Sequence, residues 1–76
     1  MKTTQDEKIS ENIDEKYIEL NTFLKINNIA PTGGQAKNII RNGEVQVNGA
    51  VETRNKKKLH NNDIVIYNSK KYVVKL

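Results

Sequence analysis

In this chain a helix with both its ends written into it runs straight into a strand and a tight turn, and that junction limits the folds open to the chain. The helix lies in Ala30-Pro31-Thr32-Gly33-Gly34-Gln35-Ala36-Lys37-Asn38-Ile39-Ile40-Arg41-Asn42-Gly43. Pro31 biases Ala30 toward an extended backbone, Thr32 supplies a capping hydroxyl, and Gly43 suits the left-handed residue that ends a helix. These signals predict a helix over about residues 33–42. Ala36, Ile39 and Ile40 share one face at the i, i+3, i+4 spacing, so that face turns inward. Glu44-Val45-Gln46-Val47-Asn48-Gly49 follows at once. Val45 and Val47 alternate on one side, and Asn-Gly is the strongest two-residue hairpin signal.

The rest of the chain arranges itself around this junction. Tyr17-Ile18-Glu19-Leu20 reads as a short strand or as the lead-in to a first helix, which Asn21 caps and which runs over Thr22-Phe23-Leu24-Lys25-Ile26-Asn27. Leu20, Phe23, Leu24 and Asn27 fall on one stripe, with Leu24 as the core anchor. Asn27-Asn28 ends that helix and Ile29 is the apolar residue of the connecting turn. After the hairpin come a basic loop, Arg54-Asn55-Lys56-Lys57-Lys58, and a turn, His60-Asn61-Asn62-Asp63. Ile64-Val65-Ile66-Tyr67 and Tyr72-Val73-Val74-Lys75-Leu76 read as two further strands joined at Asn68-Ser69. The expected fold class is therefore α+β, a short helix pair followed by about four strands.

Length and charge narrow the function. The chain has 76 residues, enough for one domain with one small core and no deep cleft of its own. Cysteine is absent and His60 is the single histidine, so disulfides, thiolate metal centres and histidine clusters are excluded and no cofactor is expected. No stretch approaches the roughly 18 to 20 apolar residues of a membrane helix, and no apolar signal-peptide core is visible, so the expected location is cytoplasmic and no membrane partner is expected. The net charge of +4 is unevenly spread. Over residues 1–19, Lys2, Lys8 and Lys16 stand against Asp6, Glu7, Glu11, Asp14, Glu15 and Glu19, a net −3. Over residues 20–76, ten Lys or Arg stand against Glu44, Glu52 and Asp63, a net +7. Residues 1–15 are expected to form a flexible acidic tail and residues 16–76 the folded domain, whose charge fits a polyanion partner.

The outer face of the second helix carries the candidate chemistry. Gly33, Lys37 and Arg41 recur every fourth residue, so a stripe runs from the helix start through two cations. Gly33 and Gly34 have no side chains to keep a ligand's oxygens from the free N–H groups of the first turn, a setting that favours phosphate. The competing reading is that the glycines allow close packing of the incoming loop and that the cations are a solvated face. With Arg54, Lys56, Lys57 and Lys58 the chain offers six cations in two patches. Thr32, Gln35 and Asn38 add hydrogen-bonding groups for phosphate or ribose 2′-hydroxyls. Asn48 is a further candidate, although Asn before Gly is what a type I′ turn needs in any case. The lysine run has its own competing use, blunting a sheet edge.

The aromatic residues do not indicate base stacking. Phe23 reads as core, and Tyr17, Tyr67 and Tyr72 read as half-buried strand residues, none of them next to the basic stripe in sequence. His60 beside Leu59 reads as a turn residue, and a lone histidine supports no catalytic assignment.

Leu20-Asn21-Thr22-Phe23-Leu24, Thr32-Gly33-Gly34-Gln35-Ala36-Lys37 with Ile40, Gly43-Glu44-Val45-Gln46-Val47-Asn48-Gly49 and Asn62-Asp63-Ile64-Val65 together resemble the RNA-binding domain family named after small-subunit ribosomal protein S4. The resemblance covers roughly residues 17–67 and is most specific at the G-x-V-x-V-N-G stretch. It is closest in form to the small stand-alone bacterial members. What it implies is a helix pair packed on a small curved antiparallel sheet of about four to five strands, and a surface of the second helix and nearby loops that binds structured RNA. Family members occur in ribosomal proteins, pseudouridine synthases, tyrosyl-tRNA synthetases and small ribosome-associated proteins, where the domain holds RNA and performs no reaction.

This chain departs from the family pattern at Glu19-Leu20-Asn21, where Arg-Leu-Asp is usual, and at Thr32-Gly33, where Ser-Arg is usual. Lys37, Arg41 and the cations of residues 54–58 are left to supply the charge. The expected function is non-catalytic binding of structured RNA, foremost ribosomal RNA or a ribosomal subunit, by a monomer. DNA is disfavoured because Gly33 and Gly34 stand where base-reading side chains are needed. The alternatives are a protein adaptor whose basic face only steers association, and the RNA-holding subunit of a modifying enzyme.

Overall fold

A computed structural model describes residues 16–76; the expected acidic tail over residues 1–15 lies outside them. The order is β1 (Ile18–Glu19), α1 (Leu20–Ile26), α2 (Gly33–Arg41), β2 (Val45–Val47), β3 (Ala50–Val51), β4 (Lys58–Leu59), β5 (Ile64–Tyr67) and β6 (Lys70–Val73). The fold is α+β, with two antiparallel sheets where the sequence predicts one: β1 pairs with β4, and four strands lie in the order β3-β2-β5-β6.

Helix α2 forms as its sequence predicts. The Thr32 hydroxyl accepts a hydrogen bond from the Gln35 N–H at 3.1 Å, which satisfies a first-turn donor. Ala36 and Ile40 are buried and Ile39 packs beside them. At the far end Gly43 has φ +75°, and the N–H groups of Gly43 and Glu44 return to the carbonyls of Ile40 and Ile39. A left-handed glycine with two such bonds is the usual way to satisfy the last carbonyls of a helix.

Helix α1 departs from its prediction at the start. It begins at Leu20, and Glu19 occupies the capping position without a side-chain cap. Asn21 is already inside the helix, where its Oδ1 accepts from the neighbouring Thr22 N–H at 2.9 Å. The capping is done from a distance: the Leu20 and Asn21 N–H groups donate to the carbonyls of Lys57 and Asn55 at 2.8 and 3.1 Å. Strand β1 therefore leads straight into α1, and the basic loop closes over the helix start. Leu20, Phe23 and Leu24 are buried, while Asn27 of the predicted stripe is exposed. The helix ends where Asn28 turns left-handed at φ 60°, and Ala30 buries itself at the entry to α2.

The larger sheet follows from two tight hairpins. Asn48 and Gly49 have φ 52° and 89°, and Asn68 and Ser69 have φ 54° and 66°; positive φ at both central residues is the type I′ geometry that matches strand twist. In register, Val47 faces Ala50 and Val65, and Val65 also faces Tyr72. That face joins Val45, Val47 and Val65 to the helices and to Leu59 and Val74 in one core. The final strand covers residues 70–73 in place of the predicted 72–76. A two-residue turn at Asn68-Ser69 leaves no spacer, so pairing begins at Lys70, opposite Tyr67.

Candidate nucleic-acid interface

The two predicted basic patches are built differently. On α2, Lys37, Asn38 and Arg41 are exposed, as are Thr32, Gly34 and Gln35, with Gly33 half-buried. A Cβ added at Gly33 would meet nothing within 4 Å, and one at Gly34 would meet only the Thr32 hydroxyl at 3.9 Å. Close packing of the incoming loop is therefore not what these glycines serve. Their N–H groups lie in the first turn, where no intrahelical carbonyl can reach them.

The second patch is a shallow open depression of about 470 Å³ lined by Arg54, Lys56, Lys57, Lys58 and His60. None of the α2 cations lines it, so the fold keeps the predicted site as two patches. Both are held by α1: α2 packs along it, and the loop caps it through the backbone of Asn55 and Lys57. This use of backbone carbonyls leaves the lysine side chains free to point elsewhere. Within the loop the Asn55 Oδ1 is shielded from solvent and has no hydrogen-bond donor.

Arg54 differs from its lysine neighbours. Its Nε and Nη2 donate to the two carboxylate oxygens of Glu52 at 2.9 and 3.1 Å, and its backbone N–H donates to the same carboxylate. The side-chain bonds from Arg54 hold Glu52 down to about 2, against the burial that pushes it up. The pair fixes the plane of the guanidinium and offsets one of the loop's charges.

Two consequences of that pair are measurable in a Glu52→Gln variant. At pH 7 its denaturation midpoint is expected to fall below that of the wild type. Because the folded-state pKa is depressed, the wild-type advantage is full above pH 4.5 and closes as the pH falls toward 2. A urea titration at several pH values checks the closing gap. The freed Arg54 is also expected to steepen the salt dependence of polyanion binding by about one unit of log–log slope.

Asn48 is absorbed by the fold. Its Nδ2 donates to Asp63 Oδ1 at 3.1 Å and its Oδ1 accepts from the Ile64 N–H at 2.9 Å, so the hairpin tip is buttoned to the start of β5. Asp63 also accepts from the His60 N–H at 2.7 Å. That bond first, and the Asn48 amide after it, holds the Asp63 carboxyl below its ordinary range. His60 sits in the turn as predicted, its backbone bonded to Asp63 in both directions.

One residue of this surface carries no signal in the sequence. Tyr17 is 44% exposed, and its ring lies 4.7 Å beneath the Lys58 ammonium and 6.4 Å from the His60 ring. The pairing of β1 with β4, Ile18 opposite Leu59, brings it there. The sequence reads it as a half-buried strand residue, because Ile18 and Leu20 alternate beside it, and this says nothing of a partner some forty residues on.

Among the described residues no cluster of His, Asp or Glu could hold a metal ion, and no helix is long and apolar enough to cross a membrane.

The arrangement is a small α+β domain with a helix pair, a capped second helix and a cationic loop, and comparison with known proteins places it. The family model described as S4 domain matches residues 12–75. The chain belongs to the S4 domain family. Among solved structures it is similar to the 30S ribosomal protein S4e from Thermoplasma acidophilum, with a TM-score of 0.61 and 22% sequence identity. That match covers 80% of this chain and 32% of the ribosomal protein, so this chain spans about a third of its length. No curated protein sequence matches this one.

Proposed function

We propose that this chain is a non-catalytic binder of structured RNA, acting in the cytoplasm on ribosomal RNA during ribosome assembly or on ribosome-bound RNA. The observation that carries the reading is the pair of cationic patches, α2 with Lys37 and Arg41 and the loop depression with Lys56, Lys57 and Lys58, on a domain of the S4 family. Thr32, Gly33, Gly34, Gln35 and Asn38 complete the α2 patch with neutral donors and acceptors. Membership of the 30S subunit belongs to the similar Thermoplasma acidophilum protein and supports a ribosomal target here.

The test is co-sedimentation with separated ribosomal subunits across a salt series. If five or six cations each neutralise a phosphate, binding to one subunit is expected to weaken several hundredfold or more over a fourfold rise in salt. Absence of binding to subunits or free ribosomal RNA at low salt overturns the proposal.

A second reading has its own observation. A mostly apolar groove of about 220 Å³ between α1 and the end of β6, in which Asn27 and Lys75 join Ile18, Phe23, Ile26, Val73, Val74 and Leu76, fits a protein adaptor. Binding through that groove would be almost indifferent to salt, and the same series separates the two.

A further inference from the structure

We infer that the loop depression holds one unpaired nucleotide of the RNA, its phosphate among the lysines and its base against the Tyr17 ring. The inference rests on the RNA-binding reading and names the feature of the RNA that this patch selects.

A phosphate needs a few donors at one point, whereas this open depression offers about 470 Å³, room for a group the size of a small organic ligand. A nucleotide fills such a space and a phosphate alone does not.

The walls offer both point charges and flat surfaces. Lys56, Lys57 and Lys58 present ammonium groups for a phosphate. Arg54 presents a planar guanidinium held flat by its two bonds to Glu52, a surface that stacks on a base as readily as it pairs with an anion. Tyr17, which does not itself line the depression but lies against two residues that do, Lys58 and His60, supplies an aromatic ring left 44% exposed. A tyrosine serving only the core would be covered, as Tyr67 and Tyr72 are in larger part. The Lys58 ammonium 4.7 Å above the ring is a cation–π contact that holds the ring face ready. The lysine stem is flexible, and moving the ammonium to a phosphate uncovers the face for a base. The His60 ring, 6.4 Å away and tilted by 56°, packs against Tyr17 from the side within the reach of aromatic pairs.

Bases inside an RNA duplex are stacked on one another and offer no face to a side chain. Only a bulged, looped or terminal nucleotide can enter the depression, while α2, with its cations and no aromatic ring, suits the phosphates of the adjoining helix. The two patches thus divide the work between duplex and unpaired base.

The test uses the full chain and two RNA hairpins that differ only in a single bulged 2-aminopurine, absent from the fully paired one and present in the other. The wild type is expected to favour the bulged hairpin by roughly five- to a hundredfold, the range of base–aromatic stacking, and to quench the 2-aminopurine fluorescence. Tyr17→Leu is expected to bring the ratio of the two affinities close to one, and Tyr17→Phe to keep it. Equal wild-type affinity for the two hairpins, unchanged fluorescence on binding, or a preference that survives in Tyr17→Leu overturns the inference and leaves RNA binding standing. Failure of the wild type to bind either hairpin at low salt overturns both readings together.

Discussion

Replacing Lys56, Lys57 and Lys58 together with alanine is expected to lower the affinity for structured RNA about a hundredfold at low salt and to flatten the log–log salt slope by about two to three units. Lys56 and Lys58 are exposed and Lys57 is half-buried, and the loop's structural work is done by the backbone carbonyls of Asn55 and Lys57. Alanine keeps those carbonyls, so helix α1 keeps its cap and the thermal midpoint is expected to stay within a few degrees of the wild type. Fluorescence anisotropy with a labelled ribosomal RNA fragment at four salt concentrations measures both quantities. The companion variant Lys37→Ala, Arg41→Ala is expected to flatten the slope by about two units. A triple variant that binds as the wild type does would transfer the whole contact to α2. A double variant that does so would transfer it to the loop.

Leu24→Ala is expected to cost about 2–5 kcal/mol of stability. A domain of this size has a total of only about 4–10 kcal/mol to lose. Leu24 is completely buried in the middle of α1, and its carbonyl also receives the Ile29 and Ala30 N–H groups that turn the chain toward α2. No large side chain in the core can swing into the vacated space without leaving its own place. Since α1 carries α2 on its side and the basic loop at its start, the loss is expected to reach RNA binding as well. Urea denaturation followed by circular dichroism reads the change. Ile26→Ala on the same helix, where the side chain is 63% exposed, is the control and is expected to shift stability by no more than about 0.5 kcal/mol.

These contrasts show which parts of the molecule were legible from residue order alone. Thr32, Gly43 and Asn48-Gly49 act on backbone within a few residues of themselves, and α2 and the first hairpin appear where those signals put them. Asn68-Ser69 carried the same kind of signal, but the apolar run from Tyr72 drew the last strand two residues too late. Asn21 looked like a cap because Asn caps helices. What displaced it was a pair of carbonyls more than thirty residues away, and no local rule reports those. The strands β1 and β4 are two residues each, too short to show a period, and they exist because α1 and the loop are held together.

The candidate site divides along the same line. The α2 stripe is a consequence of helical spacing and could be drawn in advance. The tie between Glu52 and Arg54 was available in principle, since residues two apart in extended chain lie on the same side. Tyr17 beneath Lys58 was not available, because it depends on the register of a strand pair that only the tertiary fold creates.

The bonds from the Leu20 and Asn21 amides to the loop carbonyls make the basic loop and the first turn of α1 a single mechanical unit. Motion that opens the loop must also expose two helix donors, so the loop backbone is braced while the lysine stems it carries keep their flexibility. By the same coupling, any anion that immobilises the loop returns part of its binding energy to the helix start as added resistance to unfolding. Occupancy at the surface and integrity of the core are in this domain two readings of one equilibrium.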